Sequence, residues 1–137
     1  MRRALFLAGA LALGACANKA GDGPAEVKWD RDACTGCSMV ISEHGFAAQV
    51  RGGPRSDVYK FDDVGCAMRW LAKQPWADEP ATKVWVARES DGAWLDARTA
   101  RYVEGRTSPM GFGFGAVDEG TQGLSYEDMK ARVLTPR

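Results

Sequence analysis

The 137-residue chain has no long apolar run, no excess of charge, no provable internal repeat and a single histidine. The longest apolar stretch, Ala4 to Ala15, falls short of the roughly 20 residues that a membrane-spanning helix needs. Basic and acidic residues balance at 18 each, and no basic stripe exists, which excludes nucleic acid as a partner and electrostatic attachment to anionic lipid. Neither is the chain depleted in apolar residues as a disordered one would be; 45% are hydrophobic, enough for one compact domain or two very small ones sharing a core. With one histidine, His44, any imidazole ligand rests on a single residue, and a lone histidine is more often a surface or capping residue.

The start of the chain reads as a targeting segment. Met1-Arg2-Arg3 is a short basic region, Ala4 to Ala15 an apolar run, and Leu13-Gly14-Ala15-Cys16 resembles the processing motif of bacterial lipoproteins. The expectation is a signal peptide over 1–15, a lipid on Cys16, and a flexible tether through residue 26, rich in small and turn-prone residues. Removing 1–15 takes away Arg2 and Arg3, leaving 16 basic against 18 acidic residues, a net of −2. The compartment is then outside the cytoplasm, on the periplasmic side in a cell with two membranes. Ala17 and Asn18 carry no obvious retention signal, which favours the outer membrane. With Cys16 lipidated, Cys34, Cys37 and Cys66 remain, and an odd count cannot all pair within one chain.

Alternation over Phe46 to Val50 and over Val58 to Phe61, separated by Arg51-Gly52-Gly53-Pro54-Arg55, predicts a hairpin. Asp62 or Asp63 then caps a helix whose apolar face is Val64, Ala67, Met68 and Leu71, with Cys66 and Trp70 beside it. Beyond Pro75 and Pro80, strands are expected at Val84 to Ala87, Trp94 to Ala97 and Arg101 to Glu104, the first two joined by a turn at Ser90-Asp91-Gly92. The glycine-interleaved stretch from Ser108 to Val117 reads as an irregular strand. Ser125 caps a last helix from Tyr126 to Leu134, with Asp128 three residues on. The fold class is α+β, as two small ββαβ-like units of strand hairpins each with a packed helix. The domain spans 27–137, with halves at about 27–80 and 81–137.

The segment from Cys34 to His44 concentrates soft chemistry: two thiols, the thioether of Met39 and the imidazole of His44. Thiolate and thioether select soft ions, above all Cu(I). Three other readings stand beside a copper site. A thioredoxin-like redox pair uses this spacing, but at a helix N-terminus after a strand, and Lys28 to Ala33 is charged and poor in strand formers. Cys34, Cys37, Cys66 and His44 could complete a structural zinc site. A plain disulfide between Cys34 and Cys37 is the third. Met39 lies two residues past Cys37, so in an extended segment both side chains point the same way; the blander reading makes it a gap-filling core residue. Cys66, beside an apolar helical face, reads as a buried core thiol. Met110 sits in a glycine-rich loop that no periodicity explains, which makes it a better ligand candidate than Met68.

Taken together, the chain resembles the NosL family, copper-binding accessory lipoproteins associated with assembly of nitrous oxide reductase. The resemblance rests on the lipoprotein motif, on Cys34-Thr35-Gly36-Cys37-Ser38-Met39, on Phe61-Asp62-Asp63-Val64-Gly65-Cys66-Ala67-Met68-Arg69-Trp70-Leu71, on Trp94-Leu95-Asp96-Ala97-Arg98 with Tyr102-Val103, and on Ser108-Pro109-Met110-Gly111. One departure is Ser38, where the family pattern usually has glycine. The resemblance implies a Cu(I) carrier, not an enzyme, that serves the reductase and its membrane maturation and transporter complex. It implies a metal site built on Cys37 and Met39, with Cys34 and His44 as further candidates, beside Met110, which the reading of its glycine-rich loop puts forward. The alternative function is a periplasmic thiol–disulfide oxidoreductase acting on copper-site cysteines.

Overall fold

The computed structural model describes residues 21–136; the expected signal peptide, Cys16 and the first part of the tether lie outside them. The elements run β1 (Ala48–Gly52), β2 (Asp57–Phe61), α1 (Val64–Leu71), β3 (Lys83–Ala87), β4 (Trp94–Asp96), β5 (Arg101–Val103), β6 (Gly115–Val117) and α2 (Tyr126–Leu134). The class is α+β. The larger sheet has the order β2-β1-β3-β4, antiparallel throughout, and β5 pairs antiparallel with β6 in a smaller sheet. β1, β2, α1 and β3 together make a ββαβ unit. Strands from both sides of residue 80 share the larger sheet, because β3 pairs with β1 and brings β4 with it.

The pleat explains how β1 is covered on both faces. Ala48 pairs with Phe61 and Val86, and Val50 with Tyr59 and Val84, so these side chains share one face. That face packs on α1, where Tyr59 and Phe61 meet Trp70 at ring-centroid distances of 4.4 and 5.5 Å. Val64, Ala67, Met68 and Leu71 are all buried, as the helical spacing predicts. Gln49 and Lys60, on the opposite face, hold the incoming chain. Gln49 exchanges two hydrogen bonds with the backbone of Ala25 (2.8 and 2.9 Å), Arg51 donates to the Gly23 carbonyl, and Lys60 donates to the Glu26 carbonyl and the Asp32 carboxylate. Residues 23–26, tether-like in composition, are therefore strapped along the sheet, toward the end of β2 that leads into α1.

The small sheet is anchored by Tyr102, whose hydroxyl donates a 2.6 Å hydrogen bond to the Ala97 carbonyl. It joins the larger sheet where the Glu89 amide donates to the Ala116 carbonyl. α2 buries Tyr126, Met129 and Val133, spaced i, i+3 and i+7, and the Ser125 hydroxyl accepts from the Asp128 amide at its start. The stretch from Ser108 to Val117 becomes a strand only at its end. Gly111 and Gly113 adopt positive φ (70° and 81°), and the Met110 and Gly113 amides bond to side chains instead of a ladder. Among the described residues no helix is long and apolar enough to cross a membrane.

Candidate metal centre

Three cysteines and one aspartate meet where the turn around Cys34 and Cys37, the end of β2 and α1 converge. One ligand atom each from Cys34, Cys37, Asp62 and Cys66 lies within 4.8 Å of every other. Local structure builds each position. A short antiparallel ribbon forms as the Asp30 amide donates to the Ile41 carbonyl and the Ile41 amide to the Asp32 carbonyl. The turn at its tip closes by bonds from the Cys34 amide to the Met39 carbonyl (2.7 Å) and from the Ser38 amide to the Cys34 carbonyl (2.9 Å). The Thr35 amide ties this turn to the Lys60 carbonyl at the end of β2. Gly36 lets it lie against α1: a Cβ there would sit 3.3 Å from the Cys66 Cβ and carbonyl oxygen.

The adjacent aspartates divide their work. Asp63 caps α1, accepting from the Gly65 amide at 3.0 Å. Its other oxygen accepts from the Ser108 hydroxyl (2.6 Å) and the Met110 amide (3.1 Å). That pins the loop carrying Met110 over the first turn of α1. Phe112 from the same loop covers Gly65, where any Cβ would enter the ring, and stacks under the Arg69 guanidinium at 4.9 Å. Asp62 instead turns toward the thiols, and Cys37 Sγ donates to its carboxylate at 3.5–3.6 Å.

All three thiols are free, Cys34 and Cys66 buried and Cys37 half-buried. Their protons are unequally held. The Cys66 thiol, hydrogen-bonded to Cys34, pulls Cys34 down to about 6, aided by the amides of Asp62 and Cys37 and opposed by burial. Burial pushes Cys37 up to about 11, with the neighbouring charges of Cys34 and Asp62 adding to it. Cys66 also moves up, because its proton is shared with the Cys34 thiolate and its site is desolvated. At neutral pH the cluster thus offers Cys34 as a thiolate. A bound cation would draw out further thiol protons. Sulfur dominates the donor set, which suits a soft ion.

The site opens onto a cleft of about 310 Å³, lined by Cys37 and Cys66 at its base, with Met110, Phe112, Arg69, Trp70 and Lys73 around it. Of the residues singled out from sequence, Cys34 and Cys37 belong to the cluster and Met110 lines the cleft. Met39 is 58% exposed and does not line the cleft. The extended geometry that would align it with Cys37 is interrupted at Ser38, whose φ is +67°. His44 stacks on Trp29 (centroids 3.9 Å, planes 19° apart) and is not a member of the cluster. Cys66 and Asp62 are the members that sequence reasoning set aside. Cys66 read as core from its helical face, and Asp62 was indistinguishable from its neighbour as a cap. No helical spacing links the two, because Asp62 precedes the extended N-cap Asp63 and only Cys66 lies within α1.

Comparison with known proteins places this geometry. Curated protein sequences yield no match. Among solved structures, the chain is similar to the copper chaperone NosL from Shewanella denitrificans, with a TM-score of 0.56 and 20% identity, over 80% of this chain and 85% of that one. At that identity the likeness speaks to the fold alone. The family model of NosL matches residues 25–119, from the strap on the larger sheet to just past β6, and so takes in the thiol cluster and the Met110 loop. With well over half of its length matched, the chain belongs to the NosL family.

Proposed function

We propose that this protein is a periplasmic Cu(I) carrier, lipid-anchored through Cys16, that delivers copper for assembly of nitrous oxide reductase. The observation that carries the reading is the donor set: three thiols and a carboxylate within 4.8 Å, opening through Cys37 onto a cleft with a thioether at its edge. Family membership supports it, as does the similar fold of the copper chaperone NosL from Shewanella denitrificans.

In this reading Cys34, Cys37 and Cys66 hold the ion, and Met110 stands ready beside it. Cys34 offers a thiolate before the metal arrives, and the ion displaces protons from the other two. Asp62 keeps the site negative and orients the Cys37 thiol. Release is by ligand exchange: a donor of the partner enters through the cleft before a protein sulfur leaves. Met39, exposed on the same turn, presents its thioether outward for that handover. The receiving partner is the reductase or its membrane maturation and transporter complex. The anchor belongs to the outer membrane, and the protein carries its ion rather than catalysing a reaction.

The test is a Cu(I) titration of reduced protein against a chromophoric chelator. Binding of one ion per chain is expected. Loss of outer-shell partners alone typically costs 10–100-fold in metal affinity, so losing a direct ligand in Cys37→Ser or Cys66→Ser should cost about 100-fold or more. Met39→Ala and His44→Ala, altering residues outside the cluster, should change resting affinity little. Full affinity in both cysteine variants would sink the assignment of the site.

A second reading has one observation in its favour. The depressed Cys34 thiol beside two other free thiols also suits thiol–disulfide exchange. Reduction of a protein disulfide by this chain, lost in Cys34→Ser and coupled with failure to bind Cu(I), would favour that reading instead.

A further inference from the structure

From Cys66 the face of α1 continues as Arg69 and Trp70, at i+3 and i+4 from the thiol, and Lys73 follows in the turn just past the helix end; all four line the cleft. Thiols sit at the inner end and two cations farther out. Neither cation is neutralised by an ion pair among the described residues. Arg69 lies on the Phe112 ring and makes one long hydrogen bond, 3.4 Å, to the Val133 carbonyl. Both cations are exposed. The chain as a whole has no net charge, so the positive charge belongs to this mouth and not to a general field. Trp70 and Phe112 supply aromatic walls between the two ends. At about 310 Å³ the cleft is of small-ligand size.

Resting on the copper reading of the thiol cluster, we infer that the cleft binds an anionic low-molecular-weight thiol of the glutathione type. Its carboxylates sit on Arg69 and Lys73, and its sulfur enters beside Cys37 as an additional donor to the ion. The exchange balances without redox change. A bond forms between Cu(I) and the incoming sulfur, the thiol proton passes to the buffer, and one protein sulfur loosens its hold. Such a ternary complex lets the ion enter or leave without ever being free, and the cations select a charged carrier thiol over a neutral one.

Cu(I)-loaded reduced protein, titrated with glutathione and separately with the uncharged thiol β-mercaptoethanol, tests this by native mass spectrometry and Trp fluorescence. A complex of one protein, one ion and one glutathione is expected, forming at lower concentration than with the neutral thiol. Lys73→Glu should weaken it about fivefold, the upper size for a partly exposed charge contact. Added salt should narrow the gap between the two thiols. Lys73 is exposed and outside the thiol cluster, so Cu(I) affinity without glutathione should be unchanged in this variant. Equal binding of the two thiols, no effect of Lys73→Glu, or removal of the ion by glutathione with no ternary complex would each overturn the inference alone. Failure of the parent protein to bind Cu(I) would overturn the copper reading and this inference with it.

Discussion

The Asp63 carboxylate accepts a 2.6 Å hydrogen bond from the Ser108 hydroxyl, across 45 residues of sequence. The same side chain caps α1 and holds the Met110 amide. One buried carboxylate thereby fixes both the helix that carries Cys66 and the loop that carries Met110. Ser108→Ala leaves an oxygen of Asp63 short of a partner, and the Gly113 amide loses its acceptor as well. Stability should fall by about 1–3 kcal/mol, read as a lower urea midpoint at unchanged slope. A wild-type midpoint would mean the contact is dispensable.

Gly65 has no room for a side chain, because Phe112 lies against its Cα. Gly65→Ala should push Phe112 and its loop off α1. The cost should be about 1–3 kcal/mol, despite alanine's better helix propensity. Increased solvent exposure of the Met110 methyl group, followed by NMR, would report the displacement. An alanine variant more stable than the parent would show that the loop is not seated there.

Ser38 occupies the left-handed region with φ at +67°, a conformation that glycine adopts at no steric cost. Ser38→Gly should stabilise the reduced domain by up to about 1 kcal/mol, relief of backbone strain outweighing glycine's greater freedom in the unfolded chain. The thermal midpoint measures it, and a lower midpoint would contradict the strain argument.

The thiols make stability depend on pH with two opposite slopes. Cys34 is lowered from 9.0 to about 6 on folding, so its contribution is complete above the unfolded value and is lost as pH falls through 6. Cys37 is raised from 9.0 to about 11, so its contribution is complete below the unfolded value and is lost as pH rises through 11. Reduced metal-free protein should therefore gain stability from pH 6 toward 9 and lose it above. Thiolate ultraviolet absorbance should show one group titrating near 6, absent in Cys34→Ser. No absorbance change between pH 5 and 8 would remove the preformed thiolate from the account.

Legibility from sequence followed how local the determinant was. The α1 face of Val64, Ala67, Met68 and Leu71, the β1–β2 hairpin and the Ser125 cap depend on neighbours within one or two turns and are all found, though β1 runs two residues later than expected and takes in Arg51 and Gly52, read from sequence as turn. The site is less local. Cys34 and Cys37 announce themselves by spacing, but Cys66 joins them only because Gly36 lets the turn touch α1. Its helical surroundings gave it the look of a core residue. His44 is ten residues from Cys34, yet the ribbon from Asp30 to Ile41 ends before it and Trp29 takes its ring. Met110 reaches the cleft through the Asp63 bond, and no periodicity encodes a contact of that range.

The central claim is that the three thiols hold a soft ion together, and X-ray absorption at the copper edge of the Cu(I)-loaded protein tests it most directly. An all-sulfur shell of low coordination number is expected, losing one sulfur in Cys66→Ser and unchanged in His44→Ala. A shell containing imidazole nitrogen, or one indifferent to Cys66, would contradict the account.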